Sequence, residues 1–393
     1  MKIGGSCLKD GYSLGTSLEK VEKCLDDGYH PILVLSALNG LTDDLIDIVN
    51  FNIDDDPSTS DSILSEGEML SSRIFKKILK HKGRDSKIID VNEKHFPIIT
   101  YEKDGNIEVD LERTRSELEK KLKPLINKGV IPIIPGFLGK TKEGKITTLG
   151  RGGSDTTSVL IGSLLNASEV VLLKDVPGIL RCDPNFRTSD KIIENISVHR
   201  AVELGLNGGD VINPEALKYK SKDTDVRIVD YDNDDFLSCG TKITGSIDVI
   251  TQANIYGTKA LVSLVSHSDD KDVDRYKEIA SKWLTEPCCS FRSDNSYSFC
   301  LEEEELDDNL CLLYDIMREE DESFAVGYKT DISLIEIKSN YLPSFSDIFY
   351  QILHELNKNS VRILNSKFES NELYIVIKNN NIEKIKTILE VIK

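Results

Sequence analysis

Short apolar runs alternate with helical patterns along the first 250 residues. The predicted strands are 31–38, 130–137 and 169–176, and the predicted helices are 17–28, 63–83 and 110–129. Near-continuous apolar strands that alternate with helices are typical of a mostly parallel sheet covered by helices on both faces. The sequence therefore predicts an α/β domain, in which the acidic, polar stretch 51–62 is a loop.

The pattern changes after residue 255, where strands and helices recur in a different order. Strands are predicted at 259–266, 297–302, 331–339, 361–366 and 372–378, and helices at 271–284, 307–317, 344–356 and 381–392. This is a repeated βαββα unit of roughly 65 residues, the pattern of ferredoxin-like modules. We therefore expect three parts: a domain over 1–254 and two modules over 255–329 and 330–393.

Composition and charge restrict the classes of partner. The net charge of −18 argues against nucleic acid or an anionic membrane as a partner. No apolar run approaches the length of a membrane span, and the start "MKIGG" lacks the apolar core of an export signal. The eight cysteines show no CxxC spacing. We therefore expect a cytoplasmic protein with reduced thiols.

The first glycine-rich stretch is "KIGGSC" (2–7). Gly4 and Gly5 would let backbone N–H groups approach an anion, and Lys2 would add a positive charge. The alternative is an ordinary turn with a surface lysine. The stretch is not a Walker A loop, because the GK[ST] ending is missing.

The second glycine-rich stretch is "GRGGSDTT" (150–157), which leads into a predicted helix with Ser154 or Asp155 as its N-cap. A helix N-terminus favours an anion, and the fork of Arg151 matches a planar carboxylate. The alternative is a capped loop with a solvated arginine. A dinucleotide fingerprint is excluded, because Asp155 stands where that motif needs glycine.

Together, these motifs carry a family resemblance over about residues 1–250. They are, in order, "KIGGSC", "LVLSALNGLTDDL", "SEGEMLSS", "PGFLGKTKEGKITTLGRGGSDTT", "LLKDVPGILRCDPN", "ISVHRAVELGLNGGDVINPEAL" and "GTKI". This order closely resembles the aspartate kinase pattern of the amino acid kinase family. The resemblance implies a three-layer sandwich with a mostly parallel sheet. The C-terminal repeat is similar, by pattern, to the paired ACT domains that follow the kinase domain in that family.

The resemblance implies an ATP-dependent phosphotransferase with a carboxyl acceptor. The γ-phosphate of ATP would pass to the β-carboxylate of L-aspartate to give 4-phospho-L-aspartate, the first step toward lysine, threonine and methionine. Because a free aspartate carboxylate has a pKa near 3.9, it is already ionised at pH 7 and needs no general base. Mg²⁺ would bridge ATP oxygens and keep mostly water and phosphate ligands, so no protein metal ligand is expected.

The resemblance also assigns roles to individual residues. Arg151 would clamp the α-carboxylate of aspartate, and Glu68 would bind its ammonium group. The catalytic residues would be Lys2, which holds the transferring phosphoryl group, and Asp155, which orients Lys2 or a water. The substrate site would comprise Thr42, Glu68, Phe137, Arg151 and Ser154. The ATP site would comprise Lys2, Gly4, Gly5, Ser36, Lys174, Asp175, Arg181 and Arg187.

The nucleotide side departs from the family pattern. The family's threonine, tyrosine, arginine and lysine are replaced here by Lys174, Leu180, Asn185 and Asp210. Lys174 is a candidate for the missing positive charge, together with Arg181 and Arg187 further along the chain. The departures leave open a catalytically weak or inactive aspartate-binding sensor, and a sister kinase with another acceptor.

The C-terminal repeat implies partners as well. ACT modules imply feedback by lysine or threonine, and a homodimer or a dimer of dimers. However, 266–274 and 339–347 lack the glycines of the family's effector loop. A purely dimerising role is therefore an open alternative.

Overall fold

The computed structural model of the chain divides into two compact units, Met1–Ile247 and Asp248–Lys393. The structure describes residues 1–53, 56–103, 105–182, 191–209, 211–247, 251–266, 273–283, 287–319, 324–339, 342–369 and 372–392. None of the described helices combines the length and the apolar composition that a membrane span needs.

The first unit contains seven α-helices and twelve strands within its described residues. The helices are α1 (Gly11–Asp26), α2 (Leu41–Asn52), α3 (Pro57–His81), α4 (Leu111–Ile126), α5 (Gly153–Leu164), α6 (Val198–Leu206) and α7 (Pro214–Leu217). The strands are β1 (Lys2–Ile3), β2 (Leu33–Leu35), β3 (Ser86–Ile88), β4 (Ile99–Lys103), β5 (Asn106–Val109), β6 (Ile131–Pro135), β7 (Leu138–Thr141), β8 (Ile146–Thr148), β9 (Glu169–Lys174), β10 (Asn195–Ser197), β11 (Asp225–Asp230) and β12 (Thr241–Thr244).

The main sheet of this unit has eight strands in the order β10-β12-β11-β9-β1-β2-β6-β3. Neighbours run parallel, except that β11 and β12 are antiparallel. Leu33 and Leu35 join the hydrophobic cluster that includes α1, whereas Val34 joins the cluster that includes α4 and α5. Helices therefore cover both faces, and the predicted α/β fold with a mostly parallel sheet is confirmed.

A smaller sheet has the strand order β5-β4-β7-β8, and β8 is the strand that precedes α5 in the chain. Every residue of α5 is buried. A Cβ at Gly162 would lie 2.2 Å from Val170 Cγ2, so this glycine lets α5 approach β9 closely. The start of α5 is thereby held near the carboxyl ends of the central strands.

Two local predictions are wrong. The stretch 51–62 is not one loop, because α2 continues to Asn52 and α3 begins at Pro57, where the Asp56 side chain caps the helix. The N-cap of α5 is Gly152, in the left-handed conformation at φ 69°, and not Ser154 or Asp155. Both of those residues therefore lie within the first turn of α5 and not before it.

The second unit contains one six-stranded antiparallel sheet, in the order β14-β15-β13-β16-β18-β17. Its strands are β13 (Thr251–Ser266), β14 (Cys289–Arg292), β15 (Ser296–Glu302), β16 (Phe324–Ser339), β17 (Asn365–Glu369) and β18 (Glu372–Lys378). Its helices are α8 (Val273–Trp283), α9 (Leu306–Glu319), α10 (Leu342–Lys358) and α11 (Ile382–Ile392). This antiparallel sheet with its helices is consistent with the ACT-like modules that the sequence predicts.

The long strands β13 and β16 each contribute to three hydrophobic clusters, two of which include helices. Ala253 and Ile255 pack with the cluster of α10 and α11, whereas Ala260 and Val262 belong to the cluster of α8 and α9. Both strands thus run through the expected module boundaries, at 254/255 and 329/330. The division into modules stays a prediction.

We expect Phe75→Ala to lower the free energy of unfolding by about 3–5 kcal/mol, because it empties a fully buried site in α3. Phe51→Ala is the matched control, since this side chain in α2 is 91% exposed. Urea unfolding followed by far-UV circular dichroism measures both. Equal losses in the two variants would contradict the packing described here.

Candidate active site

The carboxyl ends of three parallel strands meet at one edge of the main sheet. In the register of β1 and β9, Lys2 pairs with Leu172 and Ile3 with Leu173, so Lys174 lies just beyond this pair. Ser36 follows β2 on the other side of β1, and its N–H donates to Ile3 O at 3.2 Å. In open α/β sheets, this edge is where ligands bind.

Asp155 stands at the centre of this edge and is paired with two lysines. Its Oδ1 lies 2.9 Å from Lys2 Nζ, and its Oδ2 lies 2.7 Å from Lys174 Nζ. Burial alone would raise the pKa of Asp155, but the ammonium groups of Lys174 and Lys2 hold it well below the usual range. Burial lowers the pKa of Lys174, and Asp155 opposes that shift. Two ammonium groups thus share one carboxylate, which leaves one positive charge uncompensated within the triad.

The glycines after β1 give this positive charge an open approach. A Cβ at Gly4 would lie 3.1 Å from Lys2 Nζ, and one at Gly5 would lie 3.2 Å from Ala37 O. Side chains at these positions would crowd the ammonium group of Lys2 and the chain after β2. The absence of side chains here suits the approach of a bulky anion.

Glu68 is a buried carboxylate with one unused oxygen. Its Oε1 accepts a hydrogen bond from Ala37 N at 3.3 Å, while its Oε2 is buried and has no hydrogen-bond partner among the described residues. Burial raises the pKa of Glu68 to about 7. Gly67 allows this approach, since a Cβ there would lie 3.0 Å from the Ala37 side chain. An unpaired buried carboxylate is suited to a cationic ligand group.

Phe137 and Ser154 come together where the chain enters α5. A Cβ at Gly136 would lie 2.7 Å from Ser154 Oγ, and one at Gly153 would lie 2.6 Å from Phe137 Cδ2. Phe137 has a positive φ of 70°, and its N–H donates to Thr157 Oγ1 at 3.0 Å. The glycines therefore allow two loops to close on the helix N-terminus.

Arg151 precedes this helix on an exposed turn. Its backbone carbonyl accepts a hydrogen bond from Asn213 Nδ2. Thr42, in the first turn of α2, is half-buried. The beginning of α2 lies beside α3, because a Cβ at Gly67 would lie 3.3 Å from Leu45 Cδ1. Thr42 and Glu68 are therefore on adjoining helices.

Two of the three remaining residues expected on the nucleotide side, Asp175 and Arg181, are described, and both follow β9 in the chain. Asp175 is exposed after β9. Arg181 is also exposed and lines a polar pocket of about 750 Å³ with Arg227 and Lys242. Arg187 lies outside the described residues. Within the described part of the chain, no group of three or more His, Cys, Asp or Glu residues could hold a metal ion.

Two features of the site were missed in the sequence. Lys174 Nζ donates to Val211 O at 2.5 Å as well as to Asp155, and Asn213 reaches the Arg151 turn. The dipeptide Asn213-Pro214 signals a helix start, and Asn213 does cap α7. Its second contact, across 62 residues, has no local signal.

Sequence comparisons match the first unit. The model of the amino acid kinase family covers residues 1–230, more than half of the chain. An aspartokinase of Geobacillus stearothermophilus is 33% identical over 221 residues, which is 56% of this chain and 52% of the relative. The lysine-sensitive aspartokinase 3 of Escherichia coli (strain K12) is 34% identical over 161 residues, 41% of this chain and 35% of the relative. The chain spans about half of the length of the first relative, and less of the second.

Solved structures show the same fold over nearly the whole chain. E. coli aspartokinase III in complex with aspartate and ADP has a TM-score of 0.55 at 21% identity, covering 99% of this chain and 98% of that chain. The aspartate kinase from Synechocystis has a TM-score of 0.63 at 20% identity, covering 99% of this chain and 68% of that chain. With the family match across the first unit, the chain belongs to the amino acid kinase family.

Proposed function

We propose that the protein is an aspartate kinase, which transfers the γ-phosphate of ATP to the β-carboxylate of L-aspartate. The observation that carries this proposal is the pairing of one carboxylate, Asp155, with two ammonium groups at the sheet edge where ligands bind. The unpaired carboxylate oxygen of Glu68 supports an amino acid as the acceptor. Aspartokinases are among the relatives of this chain.

The chemistry requires positioning and charge neutralisation. The acceptor carboxylate is ionised at neutral pH, so no residue has to remove a proton from it. Two anions must approach in line, and the enzyme must compensate the charge of the transferring phosphoryl group. Lys2 supplies that positive charge beside the open backbone of Gly4 and Gly5, and Asp155 keeps the ammonium group of Lys2 in place.

Lys174 adds a second cation on the phosphate side. Its ammonium group lies 2.7 Å from Asp155 Oδ2, opposite to Lys2 on the same carboxylate. We assign Ser36, Asp175, Arg181 and Arg187 to the ATP site as further proposals. Mg²⁺ would enter with the nucleotide, held mostly by phosphate and water oxygens, and would neutralise phosphate charge. Both oxygens of Asp155 face ammonium groups, which fits an ion with few protein ligands.

Glu68 and Arg151 divide the recognition of aspartate. The ammonium group of the substrate pairs with Glu68, whose burial makes its charge costly until a cation arrives. Arg151 binds the α-carboxylate through its planar fork. Thr42, Phe137 and Ser154 line the remaining space. The acceptor carboxylate is then directed toward Lys2, because the substrate is held at its other two charged groups.

An aspartate-binding sensor is the less favoured function. The triad of Lys2, Asp155 and Lys174 places positive charge where a phosphoryl group needs it, and a sensor of aspartate alone has no use for it. Isothermal titration separates the two functions. Aspartate binding without any binding of Mg–ATP, and without turnover, would favour the sensor.

Partners beyond the substrates are also proposals. One of the E. coli structures is titled as a complex of aspartokinase III with lysine and aspartate. By analogy, we propose that the second unit forms two ACT modules, 255–329 and 330–393, that bind lysine or threonine or join the chain into a homodimer or a dimer of dimers. Turnover measured with and without each amino acid tests the effector.

We expect wild-type protein with Mg–ATP and L-aspartate to form an acyl phosphate that hydroxylamine traps as the hydroxamate. Arg151→Ala should raise the KM for aspartate roughly 10- to 100-fold, because a charge-assisted hydrogen bond contributes ~1.5–3 kcal/mol. Lys2→Ala should lower kcat by roughly 100- to 1,000-fold, as loss of a transition-state donor does. Steady-state kinetics with each substrate varied measures both.

The matched controls are Arg73→Ala and Lys9→Ala, since both side chains are exposed. They should leave kcat and both KM values within twofold. An active Arg151→Ala variant with an unchanged KM for aspartate would contradict the assignment of that site.

We expect Glu68→Gln to stabilise the ligand-free protein at pH 8 and to have little effect at pH 5. Burial raises the folded-state pKa of Glu68 from the ordinary 4.5 to about 7. Between those values the folded state binds more protons than the unfolded state, so this group lowers stability as pH rises through about 7. The gain at pH 8 should be roughly 1–3 kcal/mol, and urea unfolding at both pH values measures it.

Glu66→Gln is the control, because this side chain, two positions earlier in α3, is 57% exposed. Saturating L-aspartate should stabilise the wild type at pH 8 much more than Glu68→Gln, since the ligand ammonium pairs with the carboxylate. The same stability change at pH 5 and pH 8 would show that Glu68 carries no costly charge.

A further inference from the structure

The segment that follows α6 is firmly held in the first unit. Ile212 is buried, and Pro214 packs on α6, where a Cβ at Gly205 would lie 2.7 Å from Pro214 Cγ. Asn213 caps α7, with its Oδ1 accepting from Glu215 N at 2.9 Å and its backbone O from Ala216 N at 3.0 Å. The backbone of Asn213 is therefore fixed from both sides.

The side chain of Asn213 reaches the turn that carries Arg151. Its Nδ2 donates to Arg151 O, 62 residues away in sequence. It also covers Gly152, where a Cβ would lie 2.5 Å from Asn213 Cβ. Gly152 has a φ of 69°, a conformation that sets the direction of the chain from Arg151 into α5. One amide thus holds the carbonyl of Arg151 and packs on the glycine after it.

The same segment also touches the phosphate side of the site. Val211 O accepts a hydrogen bond from Lys174 Nζ at 2.5 Å, and Lys174 is paired with Asp155. The segment 211–213 therefore contacts the two halves of the site through two of its residues. Its position relative to Asp155 is set by Lys174, and the position of the Arg151 turn is set by Asn213.

We propose that Asn213 is a positioning residue for aspartate recognition, which acts through Arg151. This inference rests on the proposed function, in which Arg151 binds the α-carboxylate. Arg151 is exposed on a glycine-rich turn, so its guanidinium would have to be ordered when substrate binds. The hydrogen bond from Asn213 fixes the backbone of that turn beforehand, which lowers the entropy lost on binding. Asn213 does not contact the substrate.

The test is a double-mutant cycle between Asn213→Ser and Arg151→Ala. Serine can still cap α7, because Ser and Asn are comparable N-caps, but it is too short to reach Arg151 O. Asn213→Ser alone should raise the KM for aspartate about fivefold to tenfold and leave the KM for ATP within twofold. In the Arg151→Ala background, the same change should have no further effect on the KM for aspartate.

Asn207→Ser is the matched control, because Asn207 is exposed at the end of α6 and its side-chain amide donates to Glu203 O, within its own helix, at 2.8 Å. It should leave both KM values unchanged. Asn213→Asp, which keeps the size and the cap acceptor but loses the donor, replaces Asn213→Ser in the cycle if that variant does not fold.

Three outcomes would overturn the inference while wild-type turnover of aspartate is intact. The first is an unchanged KM for aspartate in Asn213→Ser, and the second is an equal rise of the KM values for aspartate and for ATP in that variant. The third is a rise of the KM for aspartate that is as large when Asn213→Ser is added to Arg151→Ala as when it is made in the wild type. The last two would assign Asn213 a general structural role. Absence of aspartate turnover in the wild type would instead contradict the proposed function itself.

Discussion

The geometry of the site depends on one buried carboxylate that holds two ammonium groups. Lys2 and Lys174 come from adjacent parallel strands, and Asp155 comes from the first turn of a buried helix, where the helix dipole favours a negative charge. Breaking a buried ion pair by removing one partner typically costs 3–5 kcal/mol, because the remaining charge is left uncompensated. Asp155 is therefore a structural requirement of this edge as well as a proposed catalytic group, and two strands and a helix are aligned by it.

Under the proposed function, this arrangement separates the site into a phosphate side and a substrate side. The triad retains one positive charge in a chain whose net charge is −18, so anionic ligands are attracted to this position against the overall field. The substrate side is built differently, from an unpaired carboxylate at Glu68 and an exposed Arg151 on a glycine-rich turn. The segment 211–213 touches both sides, through Lys174 and through Arg151.

The alternating apolar pattern was sufficient to predict the α/β fold, because buried strands and amphipathic helices leave local periodic signals. Local sequence signals do not predict features that depend on contacts between residues far apart in the chain. The N-cap of α5 is Gly152 because Asn213, 61 positions later, covers that turn. Likewise, the sequence predicted Lys174 as a nucleotide ligand, but its ion pair with Asp155 results from strand order and register. The strand β13 exceeds its predicted length because β16 pairs with it from Thr251 to Ser266, with register shifts between Tyr256 and Leu261.

The most direct test of the proposed site is a crystal structure with L-aspartate, Mg²⁺ and a non-hydrolysable ATP analogue. We expect an oxygen of the terminal phosphate at about 3 Å from Lys2 Nζ, the usual distance of a charge-assisted hydrogen bond. We also expect the substrate ammonium on Glu68 and the α-carboxylate on Arg151. A terminal phosphate out of hydrogen-bond reach of both Lys2 and Lys174 would contradict it.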